Sequence, residues 1–381
     1  MKQLRLLAIA LGGFWLSATA GAAPAQEAPP LKLEKGDHIS FIGNTLADRM
    51  QHVGWLETLL QSRFPHHELV IRDLGFSADE LTVRLRSANF GSPEQWLTNT
   101  RTDVVFAFFG YNESFGGEAG LPKFKDDLAK FVKSTLAATY NGKSGPRLVL
   151  FSPIAHENLK NPHLPDGAQN NKRLELYTRA MGEVARASGA TFVDLFHATE
   201  KLYAAGPRPL TINGIHLNEE GDQQVAFAID RALFSDPAPA RESAALERIR
   251  QAVLDKNFHW YNRYRTTDGY SVFGGRADLK FTNGQTNRVV AQRELEILDV
   301  MTANRDPKIW AAAQGKDYKV DDSSTPPFIP VVTNKPGAGP DGAHVFLGGE
   351  EAIAKMTVAQ GMKVNLFASE EQFPELVSTQ Q

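Results

Sequence analysis

The 381-residue sequence contains no cysteine. Disulfides, c-type haem attachment, iron–sulfur clusters, Cys-ligated zinc and thiol nucleophiles are excluded together. It also has no dominant charge: 41 Lys and Arg stand against 44 Asp and Glu, a net of −3. That balance gives no basic field for nucleic acid or an anionic membrane. No apolar run approaches the roughly 20 residues that span a bilayer. Metal-ligand spacing is missing as well. His66-His67 and the pair His156 and His163 form no i,i+4 or HExxH arrangement, and no Lys-Ser/Thr follows Gly116-Gly117 to make a phosphate cradle. Neither metal nor other cofactor is expected. What remains is an ordinary globular composition, 42% hydrophobic and 22% charged, long enough for one large domain and something more.

The chain opens on an address label. Lys2 and Arg5 precede the apolar run Leu6–Leu16, and Ala18, Ala20 and Ala22 offer small-residue cleavage sites. Residues 1–22 thus read as a signal peptide. The protein is expected to be exported, periplasmic or extracellular, with no membrane span after cleavage. A Pro-rich linker covers 23–32.

From 33 to 235 the pattern alternates strand and helix. The strand segments are His38–Gly43, Glu68–Leu74, Asp103–Phe109, Arg147–Phe151 and Thr191–Phe196. Asp103–Phe109 is apolar on every face, as a central parallel strand must be. The intervening stretches repeat apolar residues at helical spacing, as at Leu121, Phe124, Leu128, Phe131 and Val132. The expectation is a three-layer α/β/α sandwich on a mostly parallel five-stranded sheet, with its chemistry in loops beyond the strands' carboxyl ends.

Those loops hold Gly43-Asn44-Thr45-Leu46, Gly75-Phe76-Ser77, Gly110-Tyr111-Asn112-Glu113 and Asn213-Gly214-Ile215-His216. A hydroxyl, a glycine amide, a side-chain amide and an imidazole are the parts of acyl transfer: nucleophile, oxyanion donors and base. The four blocks, in this order, resemble the SGNH (GDSL-type) hydrolases, a superfamily of esterases, lipases and carbohydrate deacetylases. The resemblance implies a flavodoxin-like sandwich and an ester or carbohydrate substrate. It puts Thr45 at the nucleophile, His216 at the base, Asn213 as its partner, and Gly75 and Asn112 in the oxyanion hole. Asn44, Tyr111 and Glu113 are expected substrate contacts.

Each residue also has a plainer use. Thr45 suits a helix N-cap, Gly75 a positive-φ turn, Asn112 a loop cap, and Tyr111, Phe115, Phe90 and Trp96 core packing. Asp194 reads as the structural cap of the turn after the fifth strand. Two blocks depart from the family pattern: its Gly-Asp-Ser reads Gly43-Asn44-Thr45, and its Asp-x-x-His reads Asn213-Gly-Ile-His216. The β-methyl of Thr crowds an acyl carbon and restricts χ1. Asn orients an imidazole but supplies no charge to the imidazolium. Glu113, Glu219 and Asp222 are local carboxylates able to replace it. The sequence therefore poses two readings: an ester hydrolase, or a catalytically silent SGNH domain that binds glycan or scaffolds an assembly.

Residues 236–320 read as a mainly helical extension, with helices over Ala240–Lys256 and Gln285–Asn304. It is expected to pack on the sandwich, fold over the strand-end loops and bring Arg263 and Arg265 to the substrate. Residues 321–345 form a Pro- and Gly-rich linker. Residues 346–381 offer a helix (Glu350–Met356) and a strand (Gly361–Glu370) that resemble the start of a dehydrogenase-like β-propeller. That resemblance implies a separately encoded propeller or haem partner.

Overall fold

A computed structural model describes residues 31–234, 243–266, 268–280, 284–331, 337, 339–343 and 345–369. The expected signal peptide and most of the 23–32 linker lie outside them. Strands β1 (His38–Gly43), β2 (Val70–Asp73), β3 (Val104–Phe108), β4 (Arg147–Phe151) and β5 (Thr191–Val193) are all parallel, in the order β2-β1-β3-β4-β5. The order reverses direction between β1 and β3, the switch point at which such sheets open a crevice.

Alternation along β3 builds both sides of the core. Val104, Phe106 and Phe108 face one apolar cluster, and Val105 and Ala107 face the other. The first cluster is completed by α1 (Thr45–Val53), α2 (Trp55–Arg63) and α7 (Glu219–Leu233), and stacks Phe108 on Phe151 at 4.3 Å. The second takes its helical residues from α3 (Pro93–Asn99), α4 (Gly117–Ala137) and α5 (Ala168–Ser188), together with Trp260, Tyr264 and Leu295 of the extension. The expected three-layer sandwich is the fold. The fifth strand stops at Val193 because Asp194 ends it: its side chain accepts from the His197 amide and caps α6 (Leu195–Ala205).

The extension is α8 (Ser243–Tyr264), α9 (Gly269–Val272) and α10 (Asn287–Ala313). Both long helices outrun their sequence-based ends, α8 through the aromatic Phe258–Tyr264 stretch and α10 by nine residues. They lie along the open edge of the sheet, where the outward carbonyls of β2 and its flanks need donors. Trp310 Nε1 donates to Leu69 O (2.9 Å), Lys256 Nζ to Ile71 O (3.0 Å) and Trp260 Nε1 to Asp73 O (2.6 Å). Tyr264 Oη reaches the next carbonyl, Leu74 O, at 3.2 Å. Lys256 is fully buried against Glu57 at 2.8 Å, and Arg72 holds Asp306 of α10 through two bonds of 2.9 and 2.6 Å. Burial pushes Glu57 up and Lys256 down, while each is the other's compensating charge.

In the tail, α11 (Gly349–Ala354) forms where a helix is expected. Residues 361–369 form no strand, because no neighbouring strand among the described residues offers a ladder.

Candidate active site

The switch point opens a cavity of about 170 Å³ lined by Asn44, Thr45, Ala78, Tyr111, Asn112 and His216, among others. Five loops, beyond the carboxyl ends of β1, β2, β3 and β4 and ahead of α7, thus meet there. Thr45 is the first residue of α1, not its cap. Asn44 is the cap, its Oδ1 accepting from the Leu46 amide at 3.1 Å. Asn44 is therefore a lining residue whose side chain is occupied by the helix. The Thr45 hydroxyl has no hydrogen-bond partner among the described residues, and its amide is one of those left open at a helix start.

Asn112 follows β3 in helical conformation and caps nothing, so its amide is open to the cavity it lines. Tyr111 lines the same wall and accepts from Asn170 Nδ2 at 3.2 Å. Glu113 does not reach the cavity. Its two oxygens accept from the Leu81 and Gly110 amides, both at 2.9 Å, and burial raises its pKa. It is a staple between loops rather than a substrate contact or replacement acid.

The structure also sets Gly75 apart. Its amide donates to Asp73 Oδ1 at 2.7 Å, and Gly75 is absent from the cavity wall. Its φ is not positive. Glycine is needed because a Cβ there would stand 2.5 Å from the Asp48 amide nitrogen. The residue that does line the cavity from this loop is Ala78, held at φ 69°, with no backbone partner for its N–H among the described residues. A non-glycine residue in that region is uncommon and sits at functional loops more often than elsewhere. No motif singles Ala78 out; the usable signal is a small, unbranched residue three positions after the glycine.

His216 stands on a loop stitched to the core. Thr211 bridges Leu217, and Ile212 N donates to His216 O at 2.9 Å. The buried Glu157 carboxylate accepts from Leu210 N, Thr211 N and Thr211 Oγ1, the last at 2.6 Å. Asn213 Oδ1 accepts from the His216 amide at 3.0 Å, which fixes its amide group beside the ring. The ring Nδ1 then lies 2.9 Å from Asn213 Nδ2 and 3.1 Å from Oδ1. Burial first, then the nearby Arg49, lowers the His216 pKa, so the ring is neutral at pH 7. Among the described residues, no carboxylate hydrogen-bonds it. Glu219 pairs with Arg250 at 3.0 Å, and burial pushes the Asp222 carboxyl up to about 8. A literal Asp-x-x-His exists elsewhere: Asp194 holds His197 Nδ1 at 2.6 Å, away from the cavity.

Neither arginine of the extension reaches the wall. Arg263 bonds Asp299 at 2.7 Å beside a second cavity of about 530 Å³, lined by His38, Val70, Thr100 and Arg101 at the amino ends of the strands. Arg265 bonds Asp48 at 2.5 Å behind the first. Phe90 and Trp96 are core residues, stacked at 5.0 Å, whereas Phe115 is exposed beside Tyr111.

A free hydroxyl, an imidazole with an open Nε2 and unpartnered amides around one small cavity are the geometry of acyl transfer. Residues 36–224 match the GDSL-like Lipase/Acylhydrolase family. The match covers the sandwich and supports an ester-hydrolysing enzyme. No curated protein matches the chain. Solved structures similar to it include Axe2, an acetylxylan esterase from Geobacillus stearothermophilus, 18% identical at TM-score 0.42 over 55% of this chain and 100% of that one. LAE5, an alpha/beta hydrolase from the metagenome of Lake Arreo, Spain, is 20% identical at TM-score 0.39, covering 53% and 96%. BT4096, a gut microbial diltiazem-metabolizing enzyme, is 16% identical at TM-score 0.43 over 54% of this chain; the match spans 48% of BT4096.

Proposed function

We propose that this GDSL-like domain is an exported esterase that removes short acyl groups, O-acetyl above all, from a carbohydrate or glycoconjugate. The observation that carries the reading is the convergence of Thr45, Asn112 and His216 on one cavity of about 170 Å³. That volume suits an acetyl group better than a fatty chain. Thr45 Oγ1 attacks the acyl carbon while His216 Nε2 takes its proton. The oxyanion is held by Asn112 Nδ2 and by the Ala78 and Thr45 amides. Collapse expels the alcohol, which recovers the proton from His216, and water then releases the acyl group from Thr45 by the same steps. The carbohydrate assignment rests on the exported character read from residues 1–22 and on the family resemblance.

A second reading, a domain that binds ester without turnover, is favoured by one contact. With Asn213 Nδ2 nearer than Oδ1 to His216 Nδ1, the amide donates to Nδ1 and leaves the proton on Nε2, the wrong tautomer for a base. The deciding experiment is turnover of p-nitrophenyl acetate and acetylated xylan by the wild type, Thr45→Ala and Thr45→Ser. Hydrolysis by the wild type that disappears in Thr45→Ala establishes the esterase. Wild type and Thr45→Ala equal at background, with Thr45→Ser active, establish the silent domain.

The tail is proposed to dock on a separately encoded propeller-like partner; Phe367 and Met362, 99% and 71% exposed, are the side chains such a partner would cover.

A further inference from the structure

We propose that Arg265, supplied by the C-terminal extension, is a positioning residue for the loop that carries Ala78, acting through Asp48 and Ser77. The inference rests on the acyl-transfer reading, in which the Ala78 amide is an oxyanion donor. Asp48 stands one turn into α1, three residues after Thr45, and is buried. One of its oxygens accepts from Arg265 Nη1 at 2.5 Å and the other from Ser77 Oγ at 2.5 Å. A single carboxylate therefore ties together the helix that begins at Thr45, the loop that ends in Ala78, and the extension.

The rest of the loop is held in the same way. The Arg265 guanidinium sits 3.7 Å from the Phe76 ring centroid, and the Arg86 guanidinium 3.9 Å from it. Arg86 in turn holds Asp79 through two bonds of 2.8 Å. Ala78 lies between Ser77 and Asp79, so both of its neighbours are anchored by side chains while its own amide is kept open. This matters because an oxyanion donor works only within a few tenths of an ångström of its place. Its left-handed backbone, moreover, is one an alanine leaves readily when it is not held. Removing Arg265 strips Asp48 of its counter-charge in a buried setting, and Asp48 then bonds Ser77 as an uncompensated anion.

The test uses the full chain, reading p-nitrophenyl acetate kinetics and hydrogen exchange of the Leu74–Glu80 amides. Arg265→Ala is expected to speed exchange of these amides about 10-fold and to lower kcat ~10–100-fold with KM nearly unchanged, short of the 10²–10³ lost with an outright oxyanion donor. Arg265→Lys restores part of both effects. Arg263→Ala, two residues away in the last turn of α8 but bonded to Asp299, alters neither. Should Arg265→Ala fail to fold, Ser77→Ala, exposed and leaving the Arg265–Asp48 pair intact, carries the same two readouts. Exchange equal to the wild type overturns the proposal, and so does faster exchange with an unchanged kcat. A wild type without turnover removes the functional reading instead, and the exchange result alone then decides this one.

Discussion

The two cavities at opposite ends of the sheet make an instructive pair. The one at the amino ends is about 530 Å³, the one at the carboxyl ends about 170 Å³. The larger is lined by buried polar groups that already have partners. Arg72 holds Asp306, Trp96 Nε1 donates to Phe90 O, Trp260 Nε1 to Asp73 O, and Thr302 Oγ1 to Leu298 O. The smaller keeps a hydroxyl, an imidazole nitrogen and amides without partners. Open hydrogen-bonding groups gathered on one wall mark a site better than size does.

That contrast can be sharpened by charge. Asn213→Asp gives His216 Nδ1–H an anionic acceptor and fixes the base tautomer. The expected gain in kcat on p-nitrophenyl acetate is large, of order 10²–10⁴, the inverse of the loss seen when a triad Asp becomes Asn. Arg263→Ala at the other cavity leaves the same assay unchanged, and a loss there comparable to that of Asn112→Ala would break the distinction. Next in size is the seam beside the amino-end cavity. Lys256→Met removes the cation bonded to buried Glu57 at 2.8 Å and is expected to cost about 3–5 kcal/mol in urea unfolding, whereas Glu57→Leu with Lys256→Met recovers most of it.

The carboxyl-end side carries a buried acid that no cation bonds among the described residues. Asp222 accepts from the Trp55 amide and leaves its other oxygen unbonded, and burial raises it to about 8. Its folded pKa lies above its unfolded one, so the native state holds the extra proton between about pH 4 and pH 8. Stability is thereby lost as pH rises through that window. Asp222→Asn should stabilise, by on the order of a few kcal/mol at pH 8 and by nothing at pH 3. The smallest effect concerns Arg49, whose charge lowers His216. Activity falls as His216 is protonated, so its acid limb lies below the ordinary histidine value, and Arg49→Gln should move that limb upward.

How far these ends were legible in the sequence differs for physical reasons. The five strands, the sheet and the convergence of Thr45, Asn112 and His216 follow from short-range patterns: each block directly follows a strand or precedes a helix, and parallel topology gathers such loops at one edge. The loop after β2 presents Ala78 rather than Gly75 to the cavity. Glycine suggested an open amide at Gly75, but the strand-end carboxylate of Asp73 takes it, which only the folded loop reveals. Glu113 was misassigned because a carboxylate beside a motif looks the same whether it faces a ligand or the backbone amides of Leu81 and Gly110. The paired expectation for Arg263 and Arg265 fails because each is claimed by an acid of its own, Asp299 and Asp48, which only the folded chain brings to them. Contacts such as Trp310 to Leu69, 241 residues apart, leave no local trace.

The side chains lined up along β2 bear on what this protein can assemble into. An edge strand with open carbonyls is an invitation to a neighbouring chain. Here Trp310, Lys256, Trp260 and Tyr264 answer it with indole, ammonium and phenol donors rather than with another strand, so the sheet is closed to growth on that side without becoming a barrel. The sandwich consequently depends on the extension to cover this edge. Cut free at residue 235, it would keep every cavity-lining residue and still be prone to stick edge to edge, precipitating with an intact site inside it.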